Sequence, residues 1–177
     1  LVDLKTPLVK NTVVSTSRTQ TPTEIPPTSP PEEHQGSQAC GGGNGTVDPF
    51  LITRNDINLS GSIYTPPCYG EDTDLRYPTL YLLHGATETD KQWLELGIAE
   101  AADRLIEAAV ISPLIIVFPL ELTWEALPEN PFGDYLVAEL IPWIDNNYQT
   151  IAESEFRAIG GLSRGGNWAV RIGMLHW

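Results

Sequence analysis

Basic side chains are scarce in this 177-residue chain: 10 Lys+Arg stand against 23 Asp+Glu, for a formal charge of −13. There is no basic stripe or Lys/Arg run, so the attraction that supports binding to nucleic acid or to an anionic membrane is missing. The acidic excess is read as a solvated surface that favours solubility. Long apolar runs are lacking too. Leu114 to Leu120 is the longest candidate, far short of the ~20 residues of a helical membrane span, and suits a buried strand. Only two cysteines occur, Cys40 and Cys68, both in loop-like stretches at the front of the domain. In an oxidising compartment the expectation is one disulfide, pinning a hinge to the loop before the central strand, against the alternative of two unrelated thiols. No internal repeat is present.

What is there divides the chain in two. Residues 1–39 contain 7 Thr, 4 Ser and 6 Pro, centred on TPTEIPPTSPPEE. Such a segment buries too little apolar area to offset its ordering entropy, so a disordered tether is expected. CGGGNGT (Cys40 to Thr46) reads as its hinge. Residues 40–177 then alternate strand-like and helix-like stretches. Two short strands are expected within Phe50 to Tyr64, then TLYLLHG (Thr79 to Gly85) as a central strand. A helix follows over Ile98 to Ala109, then a strand bracketed by Pro113 and Pro119. Leu136, Leu140, Trp143, Ile144 and Tyr148 form one helical stripe, with Pro142 expected to kink it. FRAIGG (Phe156 to Gly161) is a third strand and GGNWAVRIGMLHW a third helix. This alternation implies an α/β domain with a mostly parallel sheet covered by helices on both faces.

The chemistry-bearing motif is Gly161-Leu162-Ser163-Arg164-Gly165. A nucleophile elbow needs a strand, a sharp strained turn and a helix, with small residues flanking the serine so that backbones pass closely. Ser163 has that setting, and the Arg164 backbone amide would then face a developing oxyanion at the helix N-terminus. The competing reading is a helix-capping serine in a glycine-rich turn. YLLHGATETDKQW (Tyr81 to Trp93) is the candidate for the second oxyanion donor, through the Ala86 amide with Thr87 as fallback. His84, at a strand end, is expected to shape that loop rather than to act as the base. Glu88, Asp90 and Asp134 have no spacing that pairs them with a histidine, so caps and solvated loop charges are expected of them. Trp124 and Trp168 are candidates for a subsite beside the elbow or for core packing. Asn44-Gly45-Thr46 and Asn58-Leu59-Ser60 match the glycosylation sequon.

YPTLYLLHGATETDKQWLELG, LIIVFP, GDYLVAELIPWIDNNY and RAIGGLSRGGNWAV occur in an order that resembles the putative-esterase family of α/β-hydrolases. That family is esterase D-like and includes feruloyl esterases. The likeness covers about Ile63 to Trp177. It implies an α/β-hydrolase sheet, Ser163 as nucleophile, backbone donors at Ala86 and Arg164, and no cofactor. The partner it implies is a small-molecule or carbohydrate-linked ester.

A serine nucleophile needs a histidine base held by a carboxylate, and in this fold they follow the serine in the order Asp/Glu, then His. After Ser163 the sequence has no Asp or Glu, and its one histidine is His176. Thirteen residues of helix separate the two, about 20 Å of rise at ~1.5 Å per residue. His34, in the tether, is no better. The chain begins at Leu1 rather than Met and ends inside a helical pattern, so a truncated hydrolase is expected, with its acid and base beyond Trp177. Made as it stands, it is expected to show no triad-dependent esterase activity. The alternatives are an acyltransferase of the same fold and a non-catalytic binding module on a Ser/Thr/Pro stalk. The tether suggests an extracellular or cell-surface location.

Overall fold

Helices pack against both faces of a five-stranded sheet whose strand order is β1-β2-β4-β3-β5. The computed structural model describes residues 43–54, 57–122 and 130–176. The expected tether over residues 1–39 and Cys40 lie outside them. The strands are β1 (Thr46–Arg54), β2 (Ile57–Thr65), β3 (Thr79–Leu83), β4 (Ile115–Leu120) and β5 (Arg157–Gly161). β1 pairs antiparallel with β2, and β2 with β4, whereas β3 runs parallel to both β4 and β5. The sheet is therefore mixed: the expectation of a mostly parallel sheet holds for β3, β4 and β5 and not for the N-terminal hairpin. This is the arrangement of the α/β-hydrolase fold.

Two strand boundaries depart from expectation, both through proline. β1 begins at Thr46 and runs through Pro49, where the sequence reads as the end of a hinge. β1 lies at the sheet edge, where a residue without an N–H costs no ladder bond. β4 likewise continues through Pro119 to Leu120. Its register with β3 ends at Tyr81↔Val117, so Pro119 faces no β3 residue there, while on the other side it pairs with Gly61.

Side chains alternate across the pleat and divide the core into two layers. Ile115 and Val117 of β4, with Tyr81 and Leu83 of β3, point into the larger layer. Ile116 and Phe118 point into the smaller one, against Tyr64. The smaller layer is closed by α1 (Gln92–Glu95) and α2 (Ile98–Glu107), whose buried residues are Ala102 and Ile106. Asp103 of α2 accepts the Tyr64 hydroxyl at 2.7 Å and the Gly45 amide at 2.9 Å, which ties that helix to the hairpin.

The larger layer is covered by one helical stretch and by α5 (Arg164–His176). The stretch comprises α3 (Phe132–Tyr135), a π-helical turn over Leu136–Leu140, and α4 (Ile141–Asn147). Pro142 is the second residue of α4, one residue past the π turn. In a regular helix its ring would crowd the carbonyl four residues earlier; the wider turn relieves that crowding and lets the helix continue. Leu136, Leu140, Ile141 and Ile144 are buried beneath it.

Candidate active site

β5 ends at Gly161 and α5 begins at Arg164, which leaves Leu162 and Ser163 to reverse the chain. Ser163 does so with φ +52°, in the left-handed region that costs a residue with a Cβ about 1–2 kcal/mol. The turn is backbone against backbone. A Cβ on Gly161 would stand 2.4 Å from the Gly165 carbonyl carbon, and one on Gly165 would stand 2.3 Å from the Leu83 carbonyl oxygen. Only glycine fits either place. The Leu162 amide donates to the Leu83 carbonyl at 3.2 Å, and the Ser163 carbonyl takes the Asn167 amide at 3.0 Å as α5 starts. Ser163 is thus left exposed at the helix N-terminus, where aligned peptide dipoles favour negative charge.

The loop after β3 lies alongside. The Glu88 amide donates to the Gly85 carbonyl at 3.1 Å, which closes a turn with Ala86 and Thr87 at its centre. The two central amides of such a turn take no part in closing it, and neither Ala86 nor Thr87 donates to a partner among the described residues. Gly85 is held from both sides. Its amide donates to Gln92 Oε1 at 2.8 Å, and its carbonyl lies 2.7 Å from His84 Nδ1.

The tautomer of His84 follows from its other nitrogen. Nε2 receives the Glu121 amide at 2.9 Å, so it carries no proton; the proton is on Nδ1 and is donated to the Gly85 carbonyl. With both nitrogens committed and its side chain buried, His84 is placed to shape the loop, not to accept a proton from Ser163.

Glu121 was not singled out in the sequence. It follows β4 directly, and the one available signal was its position at the carboxyl end of a central strand, where ligands gather in α/β sheets. Its carboxylate accepts Arg164 Nε at 2.9 Å, Arg164 Nη2 at 2.5 Å and Asn130 Nδ2 at 2.9 Å. The pair is nearly dry, with the Glu121 side chain 5% exposed. The hydrogen bond to Glu121, more than the charge attraction, holds the Arg164 guanidinium above its usual range, against a weaker opposing effect of burial. Asn130 Oδ1 also accepts the Phe132 amide at 2.9 Å, anchoring the start of α3.

Other expected residues are not brought to this place. His176 ends α5, at the opposite end from Ser163. It lines a concavity of about 410 Å³ with Arg157, Asp145 and Ser154, away from the elbow. Trp168 is core: it is 1% exposed and sits 5.6 Å from Phe132, so it lines no subsite. Trp124 lies outside the described residues. Asp90 accepts the buried Ser62 hydroxyl at 2.6 Å and pairs with Lys91 at 3.2 Å. Asp134 sits in the first turn of α3, and Glu88 closes the Ala86 turn through its amide. Cys68 is disulfide-bonded; Cys40, its expected partner, lies outside the described residues.

Comparison with known proteins places the chain among esterases. A family model described as "Putative esterase" matches residues 54–176. The chain is 36% identical over 118 residues to an endo-1,4-beta-xylanase/feruloyl esterase of Xylanibacter ruminicola, a match covering 60% of this chain and 16% of that protein. Among solved structures it is similar to a ferulic acid esterase, with TM-score 0.69, 28% identity, and coverage of 75% of this chain and 55% of that one. It is also similar to a mutant of the feruloyl esterase module from Clostridium thermocellum complexed with sinapinate. There the TM-score is 0.62 at 25% identity, covering 71% of this chain and 47% of that one. The chain thus spans about half the length of these solved relatives.

Proposed function

Since the chain belongs to the Putative esterase family, we propose that it carries the nucleophile and oxyanion half of a serine carboxylic-ester hydrolase. Ser163 Oγ attacks the ester carbonyl. The carbonyl oxygen becomes an oxyanion, held by the Ala86 and Arg164 backbone amides. The tetrahedral intermediate collapses to an acyl-enzyme as the alcohol leaves with a proton, and water completes the cycle. Nothing in this sequence of steps requires a cofactor. The observation that carries the reading is the conformation of Ser163, φ +52° on a strand–turn–helix that only glycines at 161 and 165 allow. A capping serine needs no such strain.

The base and its carboxylate are proposed to come from sequence following Trp177. His84 is committed to the Glu121 amide and the Gly85 carbonyl, and His176 stands at the far end of α5. The proposed substrates are hydroxycinnamoyl esters of plant-type polysaccharide, by similarity to proteins named feruloyl esterase. An extracellular or surface-attached setting is proposed from the disulfide at Cys68 and the Ser/Thr/Pro-rich stretch. No helix among the described residues is long and apolar enough to cross a membrane.

Fluorophosphonate labelling of the full hydrolase tests the nucleophile: label is expected on Ser163 and lost in Ser163→Ala. Label retained in that variant would end the reading. Turnover of methyl ferulate against a simple acetyl ester then tests the acyl group.

A further inference from the structure

We propose that Glu121 is a positioning residue which couples the two oxyanion donors, an inference that rests on the reading of Ser163 as nucleophile. The coupling runs in two directions from one residue.

The first direction is through its backbone. A peptide unit is planar and trans, so its C=O and N–H point opposite ways. The Gly85 carbonyl and the Ala86 amide belong to one such unit. Whatever grips the carbonyl therefore aims the amide. Two donors grip it, the Glu88 amide at 3.1 Å and the His84 Nδ1–H at 2.7 Å, and His84 has its proton there because the Glu121 amide occupies Nε2. The Ala86 N–H direction is thus held by the turn's own Glu88 bond and by a chain of two hydrogen bonds that starts at Glu121.

The second direction is through its carboxylate. Arg164 contributes the other donor amide and is the first residue of α5. Its guanidinium is held by two N–H···O bonds to Glu121, a fork that fixes orientation as well as distance. Asn130 supplies a third N–H to the same carboxylate. Charge also matters. A buried carboxylate left unpaired beside the elbow would oppose a developing oxyanion, and the Arg164 guanidinium offsets that charge. Glu121 and Arg164 are 43 residues apart in sequence and belong to different strands' ends, so the pair also fastens β4 to the elbow.

The experiment uses Glu121→Gln in the full hydrolase. The backbone amide to His84 remains, and the carboxylate's hold on Arg164 and Asn130 is weakened. Misaiming one donor is expected to cost about tenfold in kcat, less than the ~10²–10³ for losing a donor outright. KM should stay within about twofold, because the oxyanion exists only in the transition state. The rate of fluorophosphonate reaction with Ser163 should fall by the same factor as kcat. A purely structural role would lower the folded fraction and leave the kcat of folded enzyme unchanged. The charge-free double variant Glu121→Gln/Arg164→Met covers the case in which the single variant misfolds, and it is expected to lose about the same tenfold. Wild-type kcat in a folded single or double variant would overturn the proposal. Failure of wild-type Ser163 to take the label would instead overturn the nucleophile reading itself.

Discussion

Gly165 and Leu83 meet so closely that a Cβ on Gly165 would lie 2.3 Å from the Leu83 carbonyl oxygen. The obstacle is backbone of a central strand, so it cannot swing aside as a side chain would. Gly165→Ala must therefore push α5 away from β3, carrying Ser163 with it. Overpacking of this kind costs about 1–3 kcal/mol, and a rigid neighbour favours the upper end. Denaturant unfolding should show that loss, and activity should fall with it. A variant of wild-type stability would mean that the elbow tolerates a wider strand–helix gap.

Ser163 makes the opposite prediction. Its φ of +52° is a strain that glycine does not feel. Ser163→Gly is expected to raise stability by about 0.5–1 kcal/mol after the added chain entropy of glycine is discounted, while removing the nucleophile. Ser163→Ala, which keeps the Cβ, should abolish activity without that gain. Comparing unfolding midpoints of the two variants separates conformational strain from the loss of the hydroxyl.

These two residues were legible in the sequence because the signal is local: glycines two residues before and after a serine, between a β-prone run and a helical one. The core strands were legible for the same reason, through Thr79–Leu83 and the apolar run that became β4. The start of β1 was not, because a glycine-rich lead and Pro49 argue against a strand unless it is known to lie at an edge. Strand order is set by crossovers that no short window records. Glu121 was hidden most completely. Its partners His84, Asn130 and Arg164 lie 37, 9 and 43 residues away, and nothing in the local sequence distinguishes it from a solvated loop acid.

Alkaline pH should weaken the fold in a definite direction. Burial foremost, and then the Asp103 carboxylate that accepts its hydroxyl, push the Tyr64 phenol above its usual value. Burial does the same for Tyr81, reinforced by Asp145 and partly opposed by Arg157. A raised folded pKa means that the unfolded chain loses its protons first. The stabilisation is complete below the unfolded value of about 10 and declines as pH rises above it. Denaturant midpoints are expected to fall beyond about pH 10, with phenolate absorbance from these tyrosines appearing together with unfolding. Tyr64→Phe should lower stability at neutral pH by about 0.5–1.5 kcal/mol and flatten the alkaline decline. An unchanged alkaline slope in that variant would remove Tyr64 from the account.

The chain of 177 residues by itself should bind no proton from Ser163. Of its histidines, His84 already accepts the Glu121 amide on the nitrogen that a base would need free. His176 is separated from Ser163 by the length of α5, about 20 Å at ~1.5 Å per residue. His34 lies outside the described residues, in the stretch read as a tether. Without a base the serine hydroxyl is a weak nucleophile at neutral pH, although oxyanion donors alone leave some acceleration over water. Ester turnover by this chain is therefore expected to be slow and to rise with pH through hydroxide rather than to plateau as a histidine deprotonates. His84→Gln should not change it beyond the effect on the Ala86 turn. Fast turnover of p-nitrophenyl acetate that vanishes in Ser163→Ala would show that a base is present within these residues, and His34 would then be the first to replace.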